Sequence, residues 1–249
     1  MTISITFDPV LYFFLADHHK GGDLVYPLTR RTSVKDIIES LGVPHTEVGG
    51  ICFNEQMIDF SFIPETAGDL HVQGMGVPFD VRTPSLLRPE PLERYRFIAD
   101  VNVLKLGRRL ILLGFDVACS SSFSDEQIAD LSATESRIVL TRDTTLLKRK
   151  KIVFARRIRS NLPDDQLLEV MAFFELWNQT AFFSRCTRCN RSLAPVSKID
   201  IMQQLEPKTR KYFFEFLQCP NCLKIFWKGS HYDAMTDHFS SLGIFPKKE

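Results

Sequence analysis

Four of the six cysteines fall as two Cys-x-x-Cys pairs, Cys186-Thr187-Arg188-Cys189 and Cys219-Pro220-Asn221-Cys222, with 29 residues between them. Two such knuckles place four thiolates around one tetrahedral Zn²⁺, and a closed four-thiolate site is structural rather than catalytic. The pattern predicts a zinc ribbon and tail over residues 181–249, with Cys186, Cys189, Cys219 and Cys222 as its ligands. Nothing after Met1 joins a basic flank to an apolar core, so no secretory signal is expected. In such a chain paired cysteines read as metal ligands before disulfides. No apolar run approaches the ~20 residues that span a bilayer, and the expected setting is the cytoplasm, with no membrane partner. Cys52 and Cys119 read as buried small side chains. A short helix is expected around residues 212–217, and residues 239–249 as a short, partly disordered tail.

The formal net charge of +1 conceals a division along the chain. Residues 1–80 hold 4 Lys/Arg against 11 Asp/Glu, residues 81–182 hold 16 against 13, and residues 183–249 hold 11 against 6. An acidic first part joined to a basic remainder implies that the later part meets a polyanion. The densest basic run is Lys148-Arg149-Lys150-Lys151 with Arg156-Arg157-Ile158-Arg159, flanking a strand expected at Ile152-Val153-Phe154. Attraction to a phosphate backbone requires no finer placement than that.

In the first 80 residues, Ile3, Ile5 and Phe7 alternate with polar neighbours, a half-buried strand. Ser33 opens a helix with Val34, Ile37, Ile38 and Leu41 on one side, and Gly42-Val43-Pro44 ends it. Strands follow near residues 50–54 and 70–72. Two strands, one helix and further strands fit a ubiquitin-like β-grasp over residues 1–80. His18, His19, His45 and His71 lack a partner at ligand spacing and read as surface or turn residues. Residues 81–94 are rich in Pro and Arg without apolar periodicity and read as a linker.

Residues 95–180 carry the chemistry. Phe97-Ile98-Ala99 is a buried strand ending on Asp100, and Ile138-Val139-Leu140 another, followed by Thr141-Arg142-Asp143. Ligand-binding residues collect at the carboxyl ends of strands in open α/β sheets. Parallel strands would bring Asp100 and Asp143 to one sheet edge, where Asp125, in the first turn of a helix capped by Ser124 and Gln127, completes a cluster. Hard carboxylates without His or Cys suit Mg²⁺ or Mn²⁺, and an ion there promotes phosphodiester displacement. The helix over residues 102–113, closed by Gly114, presents Lys105, Arg108 and Arg109 on one face; with Arg142 they are the candidate phosphate-binding residues.

Arg96-Phe97-Ile98-Ala99-Asp100, Leu112-Leu113-Gly114-Phe115-Asp116, Asp125 and Arg137-Ile138-Val139-Leu140-Thr141-Arg142-Asp143 resemble the Mut-seven C-terminal ribonuclease family, a compact branch of PIN-like nucleases. The run from Cys219 through Trp227-Lys228-Gly229-Ser230-His231 resembles the same family. Ser33-Val34-Lys35-Asp36-Ile37-Ile38-Glu39-Ser40-Leu41-Gly42-Val43-Pro44-His45-Thr46-Glu47-Val48 resembles the β-grasp domain that precedes certain bacterial ribonuclease-like proteins. By this resemblance Asp100 is the first PIN acid, Asp125 the acid opening the late helix and Asp143 the acid after the following strand. The implied fold is α/β: a ubiquitin-like β-grasp, a PIN-like domain with a parallel sheet, and a zinc ribbon. The chain departs from the family in two places. PIN nucleases usually carry another acid between the first and third positions, and here the only one is Asp116, read as a turn residue. The family's Lys-Leu-Ala-Arg run is Lys105-Leu106-Gly107-Arg108.

Two functions follow as expectations. One is a Mg²⁺- or Mn²⁺-dependent endoribonuclease with structural zinc, acting on RNA, with tRNA and rRNA as candidate classes. The other is a non-cleaving RNA-binding or ribosome-associated module using the same basic surface. The β-grasp suggests a protein partner. It does not suggest a sulfur carrier, whose chemistry requires a terminal Gly-Gly, because Gly21-Gly22 and Gly49-Gly50 are internal.

Overall fold

The alternation at Ile3, Ile5 and Phe7 makes a strand with one apolar face, and a computed structural model describing residues 1–245 builds the first sheet on it. Its strands are β1 (Thr2–Phe7), β2 (Leu24–Pro27), β3 (Val48–Phe53), β4 (Gln56–Met57) and β5 (Gly68–Gly74), with α1 (Val34–Ser40) between β2 and β3. The order is β2-β1-β5-β3-β4, with β1 parallel to β5 and the other pairs antiparallel. Ser33 caps α1 by accepting a hydrogen bond from Asp36 N at 3.2 Å. Val34, Ile37 and Ile38 are buried against Ile3, Ile5 and Val72, each burial contributing roughly 2 kcal/mol. This is the expected β-grasp.

The second sheet comprises β6 (Arg96–Ala99), β7 (Asp116–Cys119), β8 (Ile138–Thr141) and β9 (Ala155–Arg157), all parallel, in the order β7-β6-β8-β9. Its helices are α2 (Leu104–Leu112), α3 (Asp125–Thr134), α4 (Thr144–Leu147) and α5 (Pro163–Phe173). Phe97, Ala99, Ile138 and Leu140 share a core with α2 and α5, whereas Ile98 and Val139 share one with α3 and α4. Both faces are covered, which is why these strands read as unbroken apolar runs. The strand order reverses between β6 and β8, because the chain leaves β6 for β7 on one side and returns to β8 on the other, and this is the topological switch point of the sheet. Gly107 lets α2 lie close on β6, since a Cβ there would come within 2.8 Å of Ala99 Cβ. Gly114 ends α2 at φ +96°, where a side chain would also strike Ala181 O.

The last third holds β10 (Ala194–Val196), α6 (Lys198–Ile201), α7 (Pro207–Tyr212), β11 (Phe216–Gln218), β12 (Ile225–Phe226) and α8 (Ser230–Ser241). β10, β11 and β12 form an antiparallel sheet beside the four cysteines. No helix among the described residues is long and apolar enough to cross a membrane.

Several expectations are corrected by long-range packing. The strand expected at residues 152–154 is instead Ala155–Arg157, so two arginines of the basic run lie inside it. Arg156 is buried there because Glu47 pairs with it at 2.6 Å and Phe173 lies under its guanidinium. Asp116 opens β7 rather than occupying a turn. The helix expected around residues 212–217 is not there: α7, with Pro207 in its first turn, already ends at Tyr212, and Phe216–Gln218 is strand. The expected tail begins inside α8, where Phe239 is fully buried and Ile244 joins the same core; residues 246–249 lie outside the described residues. Cys52 and Cys119 are half-buried. His45 is not at the surface: it is 5% exposed, with Nδ1 2.6 Å from Glu39 Oε1 and Nε2 2.8 Å from Ile152 O.

Residues 81–94 contain no helix or strand, but they are packed rather than loose. Arg88 is 3% exposed and donates to Val48 O and Thr46 O of the β-grasp at 2.9 and 3.0 Å, and to Val153 O in the loop before β9 at 3.3 Å. Burial pulls its pKa down to about 10, with the Glu47 charge opposing, so it stays cationic at neutral pH.

Candidate functional site

β6 and β8 are neighbours, so the residues leaving their carboxyl ends meet at the switch point. Asp100 is 5% exposed and its carboxylate accepts three hydrogen bonds: from Val101 N at 2.6 Å, Asn102 Nδ2 at 2.6 Å and Thr141 Oγ1 at 2.6 Å. The Thr141 hydroxyl also accepts from Asp143 N at 2.9 Å. Asn102 crosses the same gap, its Oδ1 accepting from Arg142 N at 3.0 Å. Asp143 caps α4, with Oδ1 accepting from Thr145 N at 2.7 Å. Its other oxygen has no hydrogen-bond partner among the described residues. Asp100 and Asp143 are thus held together through one threonine. Asn102 and Thr141 were not singled out from sequence, although polar residues next to strand-terminal acids were the available signal.

Asp125 lies in the first turn of α3, whose Ser124–Gln127 capping box forms as expected. Its carboxylate faces Arg149 at 3.6 Å, and both side chains are nearly half exposed. Among the described residues, the three acids do not converge: only the four cysteines form a group of three or more His, Cys, Asp or Glu with ligand atoms within 4.8 Å of one another. Asp116 cannot supply a further acid at this edge. In register with Arg96 at the start of the strands, it sits at the opposite end of the sheet. There it accepts from Arg137 and Asn190, each at 2.8 Å, with Arg96 and Arg185 nearby. Burial opposes its ionisation, but the hydrogen bond and charge of Arg137 lead the effects that hold its carboxyl below the usual range.

The candidate phosphate-binding cations divide. Lys105 and Arg108 are exposed and have no carboxylate partner among the described residues. Arg109 instead pairs with Asp164 at 2.8 Å, and His238 of α8 approaches the same carboxylate at 3.1 Å. Burial opposes ionisation of Asp164, while the His238 hydrogen bond and the Arg109 charge bring its carboxyl below the usual range. Arg142 donates to Asn161 Oδ1 at 2.6 Å.

The run over residues 148–159 is mostly engaged within the chain. Lys148 donates to Glu39 O at 2.7 Å, Lys151 pairs with Asp130, and Arg159 donates to Val10 O at 3.0 Å. Arg157 lies over the Phe13 ring at 4.4 Å, and its backbone N donates to Glu47 Oε1 at 2.7 Å. Lys148, Arg156, Arg157 and Arg159, four of the seven cations in the run, therefore hold the β-grasp against the second sheet.

The cysteines do assemble. Cys186 and Cys222 Sγ lie 3.5 Å apart and Cys189 and Cys219 Sγ 3.3 Å apart, all four within 4.8 Å. Four sulfurs at ~2.3 Å from a tetrahedral Zn²⁺ stand about 3.8 Å from one another, so the cluster is compatible with a zinc ribbon. Each knuckle ends with a residue in the left-handed region, Asn190 at φ 60° and Leu223 at φ 58°. Asn190 also docks the first knuckle on β7, donating to Asp116 and accepting from Val117 N at 3.2 Å.

Comparison with curated proteins and with solved structures gives no match. Among protein families, the Mut7-C RNAse domain matches residues 95–239 and the Mut7-C ubiquitin domain matches residues 1–80. The first match alone spans more than half of the 249 residues. It takes in the strands ending at Asp100 and Thr141 together with all four cysteines, and on that basis the chain belongs to the Mut7-C RNAse domain family, with the ubiquitin-like domain of Mut7-C at its N-terminus.

Proposed function

We propose that the protein is a metal-dependent endoribonuclease whose site lies at the carboxyl ends of β6 and β8. The observation that carries this reading is the link from the Asp100 carboxylate through Thr141 and Asn102 to the backbone N of Asp143 and of Arg142 across the switch point. The donor set is oxygen throughout and suits Mg²⁺ or Mn²⁺ rather than a soft ion. Asp143 offers a free carboxylate oxygen, and Asp100 is held by three donors that fix its direction. Asp125 would join by leaving Arg149, and a half-exposed pair of that kind costs less than about 1 kcal/mol to break. A bound ion would supply Lewis-acid stabilisation of the phosphate oxygens and an activated water. Lys105 and Arg108 of α2, without a carboxylate partner among the described residues, would hold substrate phosphates, with Arg109 and Arg142 shaping the rim from their contacts with Asp164 and Asn161.

Structural Zn²⁺ on Cys186, Cys189, Cys219 and Cys222 is part of the same proposal, as is a cytoplasmic setting, which suits cysteines kept as thiols. The substrate is RNA, with tRNA and rRNA as the classes to try first, and the β-grasp is the candidate surface for a protein partner. A second reading is a non-cleaving RNA-binding or ribosome-associated module. It is favoured by the separation of Asp125 from the Asp100–Asp143 pair and by the position of Asp116 at the far edge.

The test is Mn²⁺-dependent cleavage of a mixed RNA pool by wild type, Asp100→Asn and Asp143→Asn. Each substitution should lower the rate by about a hundredfold or more. Cleavage at the wild-type rate in both variants would sink the proposal, and RNA binding without cleavage by wild type would establish the second reading.

A further inference from the structure

β7 is an edge strand, and one knuckle of the cysteine cluster stands beside it. Between them runs a groove of about 1050 Å³. Its floor is β7 from Asp116 to Cys119. One end opens at Ser120, Ser121 and Phe123, in the loop that leads to Asp125. That is the edge of the sheet at which Asp100 and Asp143 stand.

Six cations and two acids line the groove. The acids, Asp116 and Glu135, are both taken by Arg137 at 2.8 and 2.7 Å, and Arg185 adds to the shell of Asp116 at 3.9 Å. Arg108, Arg188, Arg191 and Lys224 remain, all exposed and without a carboxylate partner among the described residues. A concave surface with four unpaid positive charges concentrates a polyanion.

A second feature adjoins the first. Thr187 and Lys224 line both the groove and a neighbouring apolar notch of about 250 Å³, whose walls include Phe183, Phe226, Trp227 and Tyr232. Aromatic faces beside a basic track suit stacked, unpaired bases, which a duplex does not offer.

We propose that this groove is the track of a single strand of RNA. Arg108, Arg188, Arg191 and Lys224 hold the phosphates, a splayed base enters the notch, and the strand is led towards the acids. The assignment rests on the nuclease reading for what happens at the end of the track, but its binding arm can be tested separately.

The experiment uses the full chain with no divalent metal added and a fluorescein-labelled, mixed-sequence single-stranded oligoribonucleotide, with its duplex as the second probe. Four phosphate contacts to a single strand predict that log affinity falls with log salt at a slope of about −3. The double variant Arg188→Gln/Arg191→Gln should lose about 1.4 of that slope and bind more weakly at low salt. Its melting temperature should be unchanged, because both side chains are exposed and have no carboxylate partner among the described residues. The charge-matched pair Arg30→Ala/Lys35→Ala on the β-grasp should leave affinity and slope as in wild type. In Mn²⁺ assays the groove variant should raise KM with little change in kcat, whereas Asp100→Asn should lower kcat by about a hundredfold or more and keep binding.

Wild-type affinity and slope in the double variant overturn the groove, and intact cleavage beside that result leaves the nuclease reading standing. Weakened binding in the double variant, with a wild type that never cleaves, keeps the groove and removes the nuclease. Tighter binding of the duplex overturns the single-strand assignment. Poly-glutamate bound as tightly as RNA identifies an acidic protein as the occupant and overturns the RNA assignment.

Discussion

Two basic regions of this molecule have opposite fates. The run over residues 148–159 is dense in the sequence and is largely consumed by the fold: Arg156 on Glu47, Lys148 on Glu39 O, Arg159 on Val10 O and Arg157 over Phe13. The groove cations Arg108, Arg188, Arg191 and Lys224 are scattered over more than a hundred positions and come together beside β7 with no carboxylate paired to them among the described residues. Local charge density therefore measures how much charge a segment carries, not how much of it stays free. Here the β-grasp engages the dense run through the Glu47 carboxylate, two backbone carbonyls and the Phe13 ring, and the scattered cations have no such contacts.

The sharpest way to break this contrast is Arg156→Met. Glu47 is 2% exposed and would keep the backbone N of Arg157 as the only hydrogen-bond donor to its carboxylate among the described residues, so the substitution should destabilise the chain by about 3–5 kcal/mol. Equilibrium unfolding in urea measures it, and the fraction that remains folded should hold RNA as wild type does. A loss of RNA affinity matching that of the groove variants would mean that the dense run also binds substrate.

A smaller effect is expected at Asp116, which ties the groove floor to Arg137 and Asn190. Asp116→Asn should cost about 1–3 kcal/mol at pH 7. The folded carboxyl titrates below its ordinary value of 3.8. Its contribution is therefore present above that value and is lost as the pH falls through the lower, folded one. The stability gap between wild type and Asp116→Asn should be constant from pH 7 to pH 5 and close in stronger acid. A gap that does not change with pH would show that the charge of Asp116 contributes nothing.

The smallest effect separates the two knuckles. Leu223 is 62% exposed and held at φ 58°, which strains a leucine and suits glycine. Leu223→Gly should stabilise the chain by about 0.5 kcal/mol once glycine's larger entropy loss is subtracted. Asn190 has nearly the same backbone angle, but its side chain bonds to Asp116 and Val117 N. Asn190→Gly should therefore destabilise, by about 1–2 kcal/mol. Thermal melting of the two variants, shifted in opposite directions, would locate the contact between knuckle and edge strand.

What the sequence determined by itself is local. Ile3, Ile5 and Phe7 specify a strand, Ser33 and Ser124 specify helix starts, the apolar runs ending at Asp100 and Thr141 specify buried parallel strands, and the two Cys-x-x-Cys pairs specify two knuckles whose thiols are compatible with one metal site. Each of these depends on residues within one turn, one pleat or one knuckle, so the pattern is complete in a short window. What only the tertiary structure decided is pairing at a distance. Glu47 and Arg156 are 109 positions apart, Arg88 and Val48 40, and Asp100 and Thr141 41. Whether a charge is free, whether residues 81–94 are loose or packed, and which polar side chain bridges two acids all depend on partners that no local window contains. Asp116 is the plainest case: the chain places it between Asp100 and Asp125, and the parallel register puts it at the other end of the sheet.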